Sequence, residues 1–311
     1  MHIGIADGSL TAWNPERGAW VAIGGPGDDH PLTFLGEGPE ARARAAAQLT
    51  TGPETGPPTG LPFSPTSFRG VMVVEEHYTR AARTMVRRFM PKPASWAIAG
   101  YEGVTRRTFP ALKPAPRFYE VPQFYFGSHT TFVPDGAIVR RPAVSSFLDF
   151  ELELGAIVTR PWDTATDGPP RAEDVIGAFT VINDFSARDV QFLDERRSPF
   201  SGVVKAKSFA TGMGPVLVTA DEILPRWDRV TGRVEVNGEL WCEGSTAGAI
   251  HSLDDVIAHI AADERLIPGE VISLGTLAGC CGLELDRFLE PGDEVHLELD
   301  GVGTLTNRIA T

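Results

Sequence analysis

Between Glu75 and Phe89, apolar residues recur at helical spacing at Tyr78, Ala81, Ala82, Met85, Val86 and Phe89, and Pro91 closes the run. The pattern predicts an amphipathic helix over 75–89 with His77 in its first turn. A second helical pattern runs from Ser252 to Arg265, with Ser252 as candidate N-cap and Asp254 and Asp255 in the first turn. Shorter helical signals lie at Glu40–Leu49 and at Ala172–Ile176. Beyond Phe118 the chain reads mostly as strand, in short alternating or apolar runs such as 137–139, 215–218 and 233–236, and Asn237-Gly238 gives a hairpin signal. The segment from Gly100 to Ala115 has no clear period and reads as a loop or an insertion.

These elements order into two parts. Residues 1–50 alternate around turn signals and then become a short Ala/Arg helix, and residues 51–67 are rich in Pro, Gly, Thr and Ser, as a linker is. A chain of 311 residues exceeds the usual single domain. The expectation is a β-rich α+β protein with a small N-terminal α+β module and linker over 1–66 and a larger domain over 67–311.

The stretch Leu148-Asp149-Phe150-Glu151-Leu152-Glu153-Leu154 carries candidate chemistry. In a strand, Glu151 and Glu153 share one face with Asp149, while Phe150, Leu152 and Leu154 take the other. Two carboxylates about 7 Å apart on one face repel unless a cation lies between them, and a hard cation with oxygen ligands fits that need. The same alternation also describes the solvated face of an ordinary antiparallel strand. Asp184, Arg188, Gln191 and Lys207 follow, a mixture of charges that favours a site. The absence of clustered Cys and His argues against zinc and for Mg²⁺, with Mn²⁺ or Ca²⁺ as alternatives. Without further context, Ser186-Ala187-Arg188-Asp189 reads equally as a surface turn with a local ion pair, Lys207 as a solvated lysine and Tyr125 as core.

Several motifs in order (148–154, Asn183 to Gln191, Ala206 to Thr211, Gly275-Thr276 and Gly282 to Leu285) resemble the fumarylacetoacetate hydrolase family, in register from about Ser67 to the C-terminus. The resemblance implies a mixed β-roll of curled sheets and a homodimer. It implies Glu151, Glu153 and Asp184 as metal ligands, and His77, oriented by Glu284, as the base that activates water. Lys207 matches a catalytic lysine near the metal, and Arg188, Gln191, Tyr125 and Thr276 match substrate-binding positions. The implied activity is metal-dependent hydrolysis of a carbon–carbon bond in a small 1,3-diketo acid or acylpyruvate-like keto acid. The sequence departs from the family at Gly70, where the hydrolases have an aspartate ligand, at Met72 and at Glu195, where they have tyrosines. Those changes keep open a lyase or isomerase (decarboxylase, tautomerase, hydratase or cyclase) on a related keto acid, or a non-catalytic member.

Composition narrows the partners. A formal net charge of -13 argues against nucleic acid and anionic membrane, while a bound cation and Arg188 permit an anionic small substrate. No apolar run has the length of a membrane span, and the N-terminus lacks a basic n-region and a long apolar h-region, so a cytoplasmic address is expected. Cys242, Cys280 and Cys281 have neither metal spacing nor a disulfide pattern and are expected to be small buried residues.

Overall fold

The computed structural model describes residues 1–24, 30–197 and 205–311. Its framework is a curled twelve-stranded sheet facing a five-stranded one, the β-rich α+β arrangement expected. At the centre of the large sheet the strand Glu151–Val158 pairs antiparallel with Ile176–Asn183 on one side and with Glu270–Cys281 on the other. Alternation divides its side chains between two interiors. Leu152, Leu154, Ala156 and Val158 enter the main core, with Val234, Leu297, Leu299 and Leu305 of the five-stranded sheet. Ile157, on the opposite face, joins a second core with Ile3, Phe34, Phe68 and Ile182. Both faces of this strand are buried, so Glu151 and Glu153 are not on a solvated face.

The N-terminal strands His2–Ala6, Ser9–Asn14 and Ala19–Ala22 form a meander that extends the large sheet through the pairing of His2 with Val218. Ser67–Met72 lies beside Glu270–Cys281 in parallel and pairs antiparallel with Gln123–Gly127. Two rungs of that pairing are reciprocal: Phe68 faces Gly127 and Gly70 faces Tyr125. A Cβ at Gly127 would stand 2.2 Å from the Phe68 ring, and one at Gly70 would stand 2.2 Å from the Tyr125 ring. Each aromatic ring therefore lies where its partner's side chain would be, and the two rings meet edge to face at 6.1 Å.

The helix Glu75–Phe89 follows directly, with the bounds its periodicity predicts. Helix Leu253–Ala261 begins at Ser252, whose Oγ accepts from the N–H of Asp255 at 3.1 Å while Asp255 reaches back to the Ser252 N–H, a reciprocal cap. Asn237 and Gly238 take φ of 54° and 77° and join the strands Thr231–Val236 and Glu239–Ser245 as the hairpin signal predicts. Several helices were not anticipated, two of them of ten residues or more. Lys92–Thr105 occupies part of the segment read as a loop, and only Ile98 of it is buried, so it carries little apolar periodicity. Arg188–Arg197 replaces the alternative of a surface turn, because Arg188 at its start is buried against carboxylates. The three cysteines are free and buried. Among the described residues no helix is long and apolar enough to cross a membrane.

Candidate active site

Glu151 and Glu153 leave the central strand on the face opposite Leu152 and Leu154. Asp184 directly follows the neighbouring strand, and its N–H donates to the Glu151 carbonyl at 3.1 Å. The three carboxylates are thereby brought together, buried, with one oxygen of each within 4.8 Å of the others.

Two buried cations face them. Lys207 Nζ donates to Asp184 Oδ2 at 2.6 Å and to Glu151 Oε2. Arg188 donates through Nε to Asp149 Oδ2 at 2.6 Å, through Nη1 to Gln191 Oε1 at 2.8 Å and through Nη2 to Glu151 Oε1. Burial would raise the Glu151 carboxyl pKa, but Arg188 and Lys207 outweigh it and hold the group well below the carboxylate range. Burial would likewise lower the Lys207 pKa, and Asp184 and Glu151 outweigh that and raise it. Among the described residues no cation is paired with Glu153, and the pull of Lys207 on it is outweighed. Burial, with Asp184 and Glu151 adding repulsion, pushes it up to about 8. Asp184 is also raised, by burial first, although Lys207 opposes the shift.

The partners of Glu153 depend on a local irregularity. Thr276 Oγ1 donates to Oε1 at 2.9 Å and Ser273 Oγ to Oε2. Residues three apart in a regular strand point to opposite faces, but Gly275 at φ +87° and the register shift beside Glu153 bring both hydroxyls to one carboxylate. Tyr125, laid across Gly70, donates its hydroxyl to Asp184 Oδ2 at 2.5 Å. With Tyr125 and Lys207 both on Oδ2, Asp184 Oδ1 is buried without any hydrogen-bond partner. An orphaned carboxylate oxygen costs several kcal/mol of desolvation unless something positive meets it. That oxygen, the raised Glu153 and an all-oxygen donor set fit a hard divalent cation held by Glu151, Glu153 and Asp184.

His77, in the first turn of the helix Glu75–Phe89, has Nδ1 2.7 Å from Glu284 Oε1 and Nε2 3.7 Å from Glu151 Oε1. Glu284 is fixed in turn by the Gly279 N–H at 2.9 Å. His77, the three carboxylates, Arg188, Gln191 and Lys207 all open on one cavity of about 330 Å³.

The family model described as Fumarylacetoacetate (FAA) hydrolase C-terminal matches residues 98–310. This chain belongs to the fumarylacetoacetate hydrolase family. It is 35% identical over 177 residues to an uncharacterized protein of Staphylococcus haemolyticus, a match covering 57% of this chain and 56% of that protein. The chain thus spans little more than half the length of the curated relatives it matches. In fold it is similar to a fumarylacetoacetate hydrolase from the psychrophilic Exiguobacterium antarcticum, with a TM-score of 0.68, 22% identity and coverage of 99% of this chain and 98% of that one. It is also similar to 5-carboxymethyl-2-hydroxymuconate delta-isomerase from Mycobacterium smegmatis, with a TM-score of 0.63, 20% identity and coverage of 100% and 98%. The fold is therefore shared by a hydrolase and an isomerase.

In this fumarylacetoacetate hydrolase family member, the candidate catalytic, substrate-binding and metal residues named from the sequence either line the cavity or, as Glu284 does, touch a residue that lines it. Thr276 and Tyr125 are engaged with Glu153 and Asp184 as well as lining it. Glu195 accepts from Gln191 Nε2 at 2.9 Å and so fixes the amide that receives Arg188. Two residues exceed the sequence reading. Asp149 accepts from the N–H groups of Gly282 and Leu283 at 2.6 and 3.0 Å as well as from Arg188, tying the turn before Glu284 to the guanidinium. Ser273 becomes visible only with the bulge at Gly275, since strand parity alone turns it away from Glu153.

Proposed function

We propose that this chain is a divalent-cation-dependent hydrolase that cleaves the carbon–carbon bond of an acylpyruvate or related 1,3-diketo acid. The observation that carries the reading is the His77–Glu284 pair opening beside Glu151 in the same cavity as the carboxylate cluster. Glu151, Glu153 and Asp184 would hold a divalent cation, Mg²⁺ for such a donor set, which when bound would supply Lewis acidity at a carbonyl oxygen. Glu284 holds the Nδ1 proton of His77, which leaves Nε2 to take a proton from water as that water attacks the carbonyl carbon. As the carbon–carbon bond breaks, the Lys207 ammonium faces the enolate that departs, and the His77 proton returns to its carbon. The products are a carboxylic acid and a 2-oxo acid, and water supplies one oxygen and the hydrogens.

A second reading is a lyase or isomerase using the same site on a related keto acid. Gly70, Met72 and Glu195, which line the cavity where the family's hydrolases carry other side chains, favour it. Turnover of acylpyruvates in ¹⁸O-labelled water separates the two. Label in the carboxylic acid product supports hydrolysis; turnover of a related keto acid with no solvent oxygen incorporated transfers the assignment to the lyase or isomerase.

A further inference from the structure

The cavity has two chemically distinct regions. One is the floor of carboxylates and cations. The other is a wall formed by Met72, Ala81, Met85, Val86, Met90 and Phe192. Three of these lie on the helix Glu75–Phe89, with Ala81 and Met85 one turn apart on a single face. The apolar stripe of that helix thus lines the cavity, and all six side chains are half-buried and belong to neither core. Apolar surface kept partly wet beside a charged floor gains when hydrocarbon covers it, and three methionines let the wall adapt to varied shapes.

The charges around the cavity limit what that hydrocarbon carries. Lys207 and Arg188 are both paired with carboxylates on the floor. Toward the wall, Glu195 is bound to Gln191, and Arg196, exposed at the rim, stacks over the Phe192 ring at 5.4 Å. The six wall residues themselves offer no cation and no side-chain N–H or O–H donor. The donors nearest them among the described lining residues are the Tyr78 hydroxyl, one turn before Ala81 and Ala82 on the same helix, and the exposed Arg196 guanidinium at the rim, so an acid-ended ligand decides whether either meets a second carboxylate.

We infer that the substrate is a keto acid with a single carboxylate head and an uncharged alkyl or aryl tail, the tail lying along the wall from Met72 to Phe192. The inference rests on the proposed function, since the head is assigned from it. A fully covered methylene tightens binding about fourfold, which is ~0.8 kcal/mol converted at 1.4 kcal/mol per tenfold; half-covered ones give about twofold.

N-alkyl oxamates test this without turnover, because they keep a 2-oxo acid head and have no bond to cleave. The full-length protein with Mg²⁺ is titrated calorimetrically with oxamate and its N-ethyl, N-butyl and N-hexyl derivatives, and with an N-alkyl oxamate of equal chain length ending in a carboxylate. The expected result is tightening of about two- to fourfold per methylene up to the limit of the cavity. The acid-ended compound is expected to bind at least about tenfold more weakly than its alkyl counterpart. A flat series with oxamate bound, or preference for the acid-ended tail, overturns the tail and leaves the head assignment standing. No binding of oxamate or oxalate at all overturns the head assignment, and the tail falls with it. In Met85→Glu the N-hexyl over oxamate ratio is expected to drop at least about tenfold; an unaltered ratio places the tail elsewhere and refutes the wall.

Discussion

Substitution of Gly70 by alanine tests the way Tyr125 is held. The added methyl would lie 2.2 Å from Tyr125 Cε1, 2.7 Å from Cζ and 2.9 Å from the hydroxyl oxygen, so the ring must leave and its hydrogen bond to Asp184 must break. Overpacking costs about 1–3 kcal/mol and a hydrogen bond to a charged group contributes about 1.5–3 kcal/mol, so Gly70→Ala is expected to destabilise the protein by about 3–5 kcal/mol. In a Tyr125→Ala background both causes are gone. There the same substitution should be neutral or stabilising by up to about 1 kcal/mol, as alanine replaces glycine in a strand. Urea unfolding of the wild type, the two single variants and the double variant gives a coupling energy, expected to be about 3–6 kcal/mol. Equal cost of Gly70→Ala in both backgrounds would refute the reasoning, since strain would then arise from the backbone at position 70 and not from the ring.

Three further outcomes are expected. His77→Ala should lower turnover by about 10²- to 10⁴-fold while calorimetric Mg²⁺ affinity is retained; full activity would remove His77 as the base. Glu153, raised to about 8 by burial, Asp184 and Glu151, keeps its proton at neutral pH and must lose it to bind a cation. Mg²⁺ affinity should therefore climb about tenfold per pH unit below that value and level off above it. Calorimetry in buffers of different ionisation heat should find about one proton released at pH 6.5 and close to none at pH 9.5; no release at the lower pH counts against the raised carboxyl. Asp149→Asn weakens a buried pair with Arg188 and should cost about 3–5 kcal/mol in urea unfolding; a change within about 0.5 kcal/mol would show that Glu151 and Gln191 hold the guanidinium without it.

Local patterns in the chain were legible where one element decides the outcome. The helix at 75–89, the Ser252 cap and the Asn237-Gly238 turn each follow from a few neighbouring residues. The helix at 92–105 was not legible because Trp96 and Val104 are exposed and Gly100 and Gly103 dilute its propensity. Strand parity placed Glu151 and Glu153 together, and the resemblance supplied the distant members His77, Lys207 and Glu284. Parity could not tell a solvated face from a buried one, since that depends on strands more than a hundred residues away. The roles of Ser273 and Asp149 were beyond it for the same reason. One waits on a bulge in a partner strand, the other on a turn some 130 residues downstream.

The two reciprocal rungs between Ser67–Met72 and Gln123–Gly127 act as a key with one seating. A slip of two residues in one direction would set Gly70 against Gly127 and leave a hole; the other would set Phe68 against Tyr125 and force two rings into one place. Both slips by two residues, which parity alone would tolerate, are thus penalised by shape. The helix that carries His77 starts three residues after this pairing ends, so the alignment of two neighbouring strands also sets the position of the imidazole. Errors in zipping that corner of the sheet are read out as misplacement of a single ring nitrogen.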